Sequence, residues 1–428
     1  MSQDIVKAAE IARKASIKLA ALDTETKNKA LNNIIKALRD NQAKIEEANA
    51  IDIKNSEAEG LAAPLLKRLK FGSDKVEGVI DGIESLIGLE DPVGKIQLQT
   101  ELDEDLILTR IACPIGVIGI IFESRPDALV QISTLALKSG NAVLLKGGRE
   151  AKETNKVLFE IIRDASVEVG LPEGWIALME SREDVNSILS LDKYIDLIVP
   201  RGSNAFVQYI MKNTNIPVMG HADGICHTYV DKDADLDMAV KLVTDSKTQY
   251  VVVCNALETL LVHKDVAVEF LPKLKESLDA KNVTIKGDER VQEIIACEPA
   301  TEEDWKTEYL DYILSIKVVD NMEEAIEHIN TYGSGHTDTI VTDNSKASEV
   351  FMMLVDSANV FHNASTRFSD GFRYGFGAEV GISTSKIHAR GPVGLDGLLI
   401  YKYKIEGKGQ IVGDYASGAK KFTHKKLI

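Results

Sequence analysis

The chain has 428 residues, with 50 Lys and Arg against 66 Asp and Glu, for a formal charge of -16. That acidity argues against a nucleic-acid or anionic-membrane partner, since both reward excess cations, so an anionic ligand has to meet locally concentrated positive charge. The length exceeds the ~250 to 300 residues at which one core stops growing, so at least two domains are expected, and four cysteines with no Cys-x-x-Cys pair fit a reducing, cytoplasmic compartment.

In "MSQDIVKAAEIARKASIKLAALD" the apolar residues Ile5, Ala8, Ala12, Ala15 and Leu19 recur at helical spacing. Asp4 and Glu10 interrupt any apolar core, so the segment reads as a surface helix of the mature protein and not as a targeting peptide. No run approaches the ~18 apolar residues of a membrane span. Asp23 suits an N-cap before a second helix with Leu31, Ile34, Ile35 and Leu38 on one face, and residues 1–95 read as mostly helical.

From Pro114 the pattern changes. "VIGIIF" (117–122), "AVLLK" (142–146), "WIALME" (175–180) and "IDLIVP" (195–200) are short apolar runs with little alternation, as in strands buried on both faces. Between them lie helical patterns, one from Pro126 to Gly140 and one carrying Val157, Leu158, Ile161, Ile162 and Ala165. A second alternation follows, with strands predicted in "TLLVH" (259–263), "SIKVVD" (315–320), "TIVTD" (339–343) and "NVFHN" (359–363). Two doubly wound α/β lobes account for this order. "TELDEDLILTRIACP" (100–114) and "GLLIYKYKIEGKGQIV" (397–412) instead alternate apolar and polar residues, so they read as half-exposed strands that pair with each other or with another subunit.

Four stretches carry candidate chemistry. "LLKGGRE" (144–150) and "VPRGSN" (199–204) each take a buried strand through glycine into a helix, a place where N–H groups meet anions; either is also an ordinary strand-to-helix turn. No Gly-x-Gly-x-x-Gly follows a strand, and "GFGAEVG" (375–381) reads as a loop. In "QYVVVCNALETLLVH" (249–263) Cys254 ends an apolar run beside Asn255, Glu258 and Thr259, so it is either a core thiol or a nucleophile at a boundary where N–H groups lower its pKa. "GHADGICH" (220–227) holds His221, Asp223, Cys226 and His227, whose spacing matches no common zinc pattern, and no metal is expected. The loop 362–394 gathers Arg367, Arg373, Lys386 and Arg390 among glycines and hydroxyls, as for an anionic polar substrate.

These blocks, with "PIGVIGIIFESRPD" and "STRFSDGFRYGFGAEVGISTSKIHARGPVGLDGL", together resemble the gamma-glutamyl phosphate reductase family of the aldehyde dehydrogenase superfamily over essentially the whole chain. The resemblance implies an NADP-binding domain (1–99 and 115–223), a catalytic domain (224–395) and a bridging β element (100–114 and 396–428) through which copies oligomerise. It also implies NADPH-dependent reduction of L-glutamyl 5-phosphate to L-glutamate 5-semialdehyde, with release of phosphate, in proline biosynthesis. A glutamate 5-kinase partner would suit the lability of acyl phosphates.

Carried over by position, Cys254 takes the place of the nucleophile, with Asn255 beside it. Lys146 matches the lysine at the adenosine ribose, Gly202 and Ser203 the turn at the pyrophosphate, and Glu308 the glutamate at the nicotinamide ribose. Arg149 stands where NAD-using relatives hold the ribose hydroxyls with glutamate, so NADP(H) is expected. Arg125, His221, Ser365, Thr366, Arg373 and Lys386 are the expected substrate contacts. Three departures matter: His221 replaces the glutamate base of hydrolytic relatives, Ser124 replaces their asparagine oxyanion donor, and Val251 follows Tyr250 where many relatives have proline. Without that glutamate, phosphate is favoured over water as acyl partner. The alternatives are a hydrolytic or CoA-acylating aldehyde dehydrogenase, a thiol hydrolase using Cys254 and His221, and a non-catalytic binding protein.

Overall fold

The computed structural model describes residues 3–179, 184–221, 223–377 and 379–428; Glu180, at the end of the predicted strand 175–180, lies outside them. The chain divides into two compact units, Met1–Val218 with Gly377–Val380 and Val393–Ile428, and Met219–Phe376 with Gly381–Pro392. The first stretch of the first unit runs to Val218, and its later stretches include the C-terminal segment.

In the first unit five helices precede the sheet: Gln3–Leu19, Thr24–Asp40, Gln42–Ala58, Ala63–Leu69 and Ser73–Gly88. Asp23 caps the second by accepting the Thr26 N–H at 2.8 Å, and Leu31, Ile34, Ile35 and Leu38 are buried. Four parallel strands follow, in the spatial order Ile176–Leu178, Ala142–Gly147, Val117–Phe122, Leu197–Arg201. Order reverses about Val117–Phe122, so the loops after that strand and after Leu197–Arg201 diverge at the carboxyl end of the sheet. That is where doubly wound sheets open a crevice for ligands. The helix Pro126–Lys138 is buried on almost every face, against the sheet and three other helices. Each Leu or Ile buried there stabilises by roughly 1.5–3 kcal/mol.

The two alternating segments pair with each other. Leu399–Glu406 runs antiparallel to Leu106–Pro114, from Leu399 opposite Pro114 to Glu406 opposite Ile107, and Ile96–Asp103 and Lys425–Lys426 complete a four-stranded sheet. Leu399–Glu406 is an edge strand with Tyr401, Tyr403 and Ile405 exposed.

The second unit is a seven-stranded parallel sheet in the order Glu298–Pro299, Thr284–Gly287, Ile313–Val319, Leu257–His263, Cys226–Val230, Thr337–Val341, Asn359–His362. Its core is built from Leu260, Val262, Phe270, Leu274, Leu314 and Ile316 among others. The strand Cys226–Val230 was not expected, because its polar residues obscured it. His227 and Thr228 are buried there, and Asp338 on the adjacent strand accepts from the His227 backbone N–H at 2.7 Å and Nδ1 at 3.0 Å. The pairing satisfies polar groups that would otherwise oppose burial.

Candidate active site

Cys254 lies in the turn between the helix Leu236–Thr248 and the buried strand Leu257–His263, closed by the Ala256 N–H on the Val253 carbonyl at 3.1 Å. The thiol is half-buried, so it is not a core cysteine. A second backbone runs close beneath it. A Cβ on Gly224 would stand 2.1 Å from the Cys254 carbonyl oxygen and 2.4 Å from its Cα, so only glycine allows the approach. Cys226 donates to the Cys254 carbonyl at 3.3 Å, and burial holds the Cys226 thiol well above its ordinary range, so it stays protonated.

Asn255 clamps the turn. Its Nδ2 donates to the Ser369 carbonyl at 2.9 Å, and its own carbonyl accepts from the Thr366 hydroxyl at 2.8 Å. Thr366 N–H in turn donates to Ser246 Oγ at 3.2 Å, and Ser365 Oγ accepts from Ser246 Oγ at 3.1 Å. Ser365 and Thr366 are both buried. Three of the expected site residues thus have partners within the protein. The amide of Asn255 and the hydroxyls of Ser365 and Thr366 tie the thiol turn to the 3-10 turn Thr366–Phe368, because a buried polar group is stable only with its partners inside the protein.

Two imidazoles complete the thiol's surroundings. One ligand-capable atom each from His221, Cys254 and His336 all lie within 4.8 Å of one another, and the two rings meet edge to face at 4.9 Å. His221 Nδ1 is 2.8 Å from the Ile382 carbonyl, which only accepts, so Nδ1 carries the proton and a neutral His221 keeps its lone pair on Nε2. For His336 the same follows from a chain of donors. Ser369 Oγ donates to the Thr366 carbonyl at 3.2 Å, Thr337 Oγ1 donates to Ser369 Oγ at 2.7 Å, and so His336 Nδ1 donates to Thr337 Oγ1 at 2.8 Å. Burial and the neighbouring His221 hold His336 well below its ordinary range, and it is neutral. Of the rest of the "GHADGICH" cluster, Cys226 is buried behind the thiol turn with its Sγ 3.7 Å from His336 Nδ1, while His227 is buried in the strand against Asp338.

Positive charge is unevenly committed. Arg367 is buried with Nε donating to Gln249 Oε1 at 2.9 Å; desolvation, then the neighbouring Arg373, lower its pKa, while Cys254 raises it. A guanidinium that interacts with a thiol in this way favours the thiolate. Arg373 is exposed and donates to the Arg367 carbonyl. Lys386 is engaged by Asp356 together with Arg390, whose Nη1 is 3.0 Å from the same carboxylate. An anionic substrate would have to compete with Asp356 for Lys386. Gly375 and Gly377 adopt φ of 79° and 70°, a left-handed backbone that favours glycine, as expected of a loop.

Glu308 is half-buried in the segment after the 3-10 turn Asp304–Lys306. Two residues on, Leu310 has φ 52°, and its N–H donates to Glu258 Oε1 at 3.4 Å. Glu258 is itself buried against Lys247 Nζ at 2.6 Å, so this ion pair underlies the segment that carries Glu308. Burial outweighs the mutual attraction, pushing the Glu258 carboxyl up to about 7 and the Lys247 ammonium down.

In the first unit, Lys146 is buried at the carboxyl end of Ala142–Gly147, its Nζ donating to the Gly147 carbonyl at 2.9 Å. Arg149 opens the 3-10 turn Arg149–Ala151 and forms an exposed pair with Glu59 at 3.0 Å. Asp52 fixes the helix that follows by accepting from the N–H groups of Glu153 and Thr154 at 3.1 and 2.8 Å. Gly202 and Ser203 begin the helix Asn204–Lys212, where the Ser203 N–H donates to Glu123 Oε2 at 3.2 Å. A pyrophosphate at that helix start would displace the Glu123 carboxylate. Ser124 gives its N–H and hydroxyl to Glu150 Oε1, and Arg125 pairs with Asp127 at 3.3 Å.

Comparison with known proteins decides what this arrangement is. The profile described as "Aldehyde dehydrogenase family" matches residues 1–297. The chain is 68% identical to gamma-glutamyl phosphate reductase of Acetivibrio thermocellus over 415 residues, 97% of this chain and 96% of that protein. The chain belongs to the gamma-glutamyl phosphate reductase family. The crystal structure of the Thermotoga maritima gamma-glutamyl phosphate reductase superposes with a TM-score of 0.93 at 42% identity, over 95% of this chain and 99% of that one. An acetylating aldehyde dehydrogenase of Geobacillus thermoglucosidasius, 19% identical, shares the fold with a TM-score of 0.65 over 96% and 97% of the two chains. The expected aldehyde dehydrogenase-like α/β fold is therefore the fold of the protein.

As a gamma-glutamyl phosphate reductase family member within the aldehyde dehydrogenases, the protein is an enzyme that works with a nicotinamide cofactor. Its first unit suits such a group: Lys146, Arg149, Gly202 and Ser203 all lie at the carboxyl ends of parallel strands, two of which flank the reversal of strand order. Sequence reading missed His336, which directly precedes the buried strand Thr337–Val341, and placed Arg367 only among the cations of the basic loop, not beside the thiol. Their signal was weak because neither lies near Cys254 in the chain.

Proposed function

We propose that the protein reduces L-glutamyl 5-phosphate to L-glutamate 5-semialdehyde with NADPH, releasing phosphate through a thioester on Cys254, in proline biosynthesis. The observation that carries this reading is the half-buried thiol set among two imidazoles and a buried guanidinium. A neutral His221 takes the thiol proton at Nε2, and Arg367 offsets the charge of the thiolate. The thiolate attacks the acyl carbon, the carbon–oxygen bond to phosphate breaks, and phosphate leaves with both electrons of that bond. Arg373, exposed next to Arg367, suits the departing phosphate. Because the Asn255 amide is committed to Ser369, the oxyanion is assigned to the backbone N–H of Cys254. Bound NADPH supplies the hydride that reduces the acyl group. His221 then returns its proton to the thiolate as the aldehyde departs.

The deciding experiment is oxidation of glutamate semialdehyde with NADP in the presence and absence of phosphate. Turnover is expected to require phosphate; equal rates without it would favour a hydrolytic enzyme. Arg149 carries the expectation of NADP(H) over NAD(H). Its partner Glu59 is an exposed ion pair of small net value, so a 2'-phosphate displaces it readily. Arg149→Ala should weaken NADPH by roughly 10- to 100-fold, the worth of a charged hydrogen bond, and leave NADH nearly unchanged. A parallel loss for both nucleotides would remove Arg149 from 2'-phosphate recognition.

A further inference from the structure

We propose that Cys254, His221 and His336 together form a capture site for a thiophilic divalent cation of the zinc class, and that filling it switches the enzyme off. The three ligand-capable atoms lie within 4.8 Å of one another. A tetrahedral ion with bonds of about 2.0–2.1 Å to nitrogen and 2.3 Å to sulfur needs them roughly 3.3–3.6 Å apart, so the side chains would draw together on binding. Sulfur and imidazole ligands select zinc-like ions over magnesium or calcium, which require oxygen.

The two imidazoles are already held as ligands are held. Each donates its Nδ1 proton inward, His221 to the Ile382 carbonyl and His336 to Thr337 Oγ1, which fixes the Nε2 lone pair as the one offered to a metal. His336 is fully buried and its Nε2 has no hydrogen-bond partner. An acceptor left unsatisfied inside a protein costs free energy, and a metal bond removes that cost. Coordination is a plain exchange: the ion bonds to sulfur and the thiol proton is released to solvent, with no oxidation. Three protein ligands leave a fourth position for water or an anion. Inhibition, but not binding, rests on Cys254 being the nucleophile of the proposed reaction.

The test is a titration of the reduced full-length protein with Co(II) alone, followed by its thiolate-to-metal charge-transfer absorption. A saturable band at one ion per chain is expected, absent in Cys254→Ala, with affinity reduced at least about tenfold in His336→Gln and in His221→Asn. Circular dichroism checks that each variant is folded; two histidine variants are used so that one misfolded protein does not decide the matter. Zn(II) should displace Co(II) and inhibit semialdehyde oxidation, with recovery on adding chelator. No band in the wild type, a band that survives Cys254→Ala, or wild-type affinity in either folded histidine variant would overturn the site. A Co(II) band without Zn(II) inhibition would overturn the switch while leaving the site, and because the band needs no turnover, failure of the proposed reaction would show separately.

Discussion

Cys254→Ala is expected to lower the phosphate-dependent reduction of NADP by about 10⁴-fold or more, the scale on which removal of a covalent nucleophile acts. The change removes one sulfur from a half-buried turn whose hydrogen bonds run through Asn255, Thr366 and Ser369, so the fold should survive. Cys226→Ala is the matched control. That thiol is fully buried, held protonated and turned to the Cys254 carbonyl, so it should leave the rate within a few-fold of wild type. Steady-state rates with glutamate semialdehyde, NADP and phosphate decide between them. A Cys254→Ala enzyme retaining a tenth of wild-type turnover would exclude the thioester route, and equal losses in both variants would point to structural damage.

The second large effect concerns stability. Lys247 and Glu258 face each other at 2.6 Å with both side chains fully buried. Changing one partner leaves an uncompensated buried group, whereas replacing both by apolar groups of similar size removes the desolvation cost along with the attraction. Lys247→Met and Glu258→Leu, made singly, should each destabilise by about 3–5 kcal/mol, and the double variant by clearly less. Chemical denaturation followed by tryptophan fluorescence measures this, with Trp305 reporting from the second unit. Additive losses would show that the pair is not coupled. Since Glu258 also accepts the Leu310 N–H, the double variant should recover stability while losing that hold on the backbone two residues after Glu308.

Much of the fold was legible in the chain. Apolar runs such as 117–122 and 142–146 became strands buried on both faces, since a parallel strand between helices has no solvent face for polar residues. The strand Cys226–Val230 was hidden for the opposite reason. His227 and Thr228 are polar, and only the adjacent Asp338, over a hundred residues away, makes His227 tolerable inside a sheet. The candidate site divided in the same way. Cys254 was singled out by the end of an apolar run and a family resemblance, but Ser365, Thr366 and Asn255 looked like substrate or oxyanion contacts because a hydroxyl or amide in a loop does not show from sequence whether it faces ligand or backbone.

By itself, the sequence determined what local pattern governs: strand and helix alternation, the helix cap at Asp23, the glycine loops, the thiol at the edge of a buried run, and membership of a family through its motifs. Tertiary structure decided which atoms are available. It brought His336 to Cys254 and His221 across the sheet, and it spent the Asn255 amide on Ser369. The Nδ1 proton of His221 was fixed only by the Ile382 carbonyl, far along the chain, and that of His336 by the hydroxyl of the adjacent Thr337, whose own proton is committed to the distant Ser369. The physical reason is that secondary structure follows periodicity within a few turns of chain. A proton's position on an imidazole, or an amide's freedom to meet a substrate, depends on hydrogen-bond partners that meet only when the sheet is assembled.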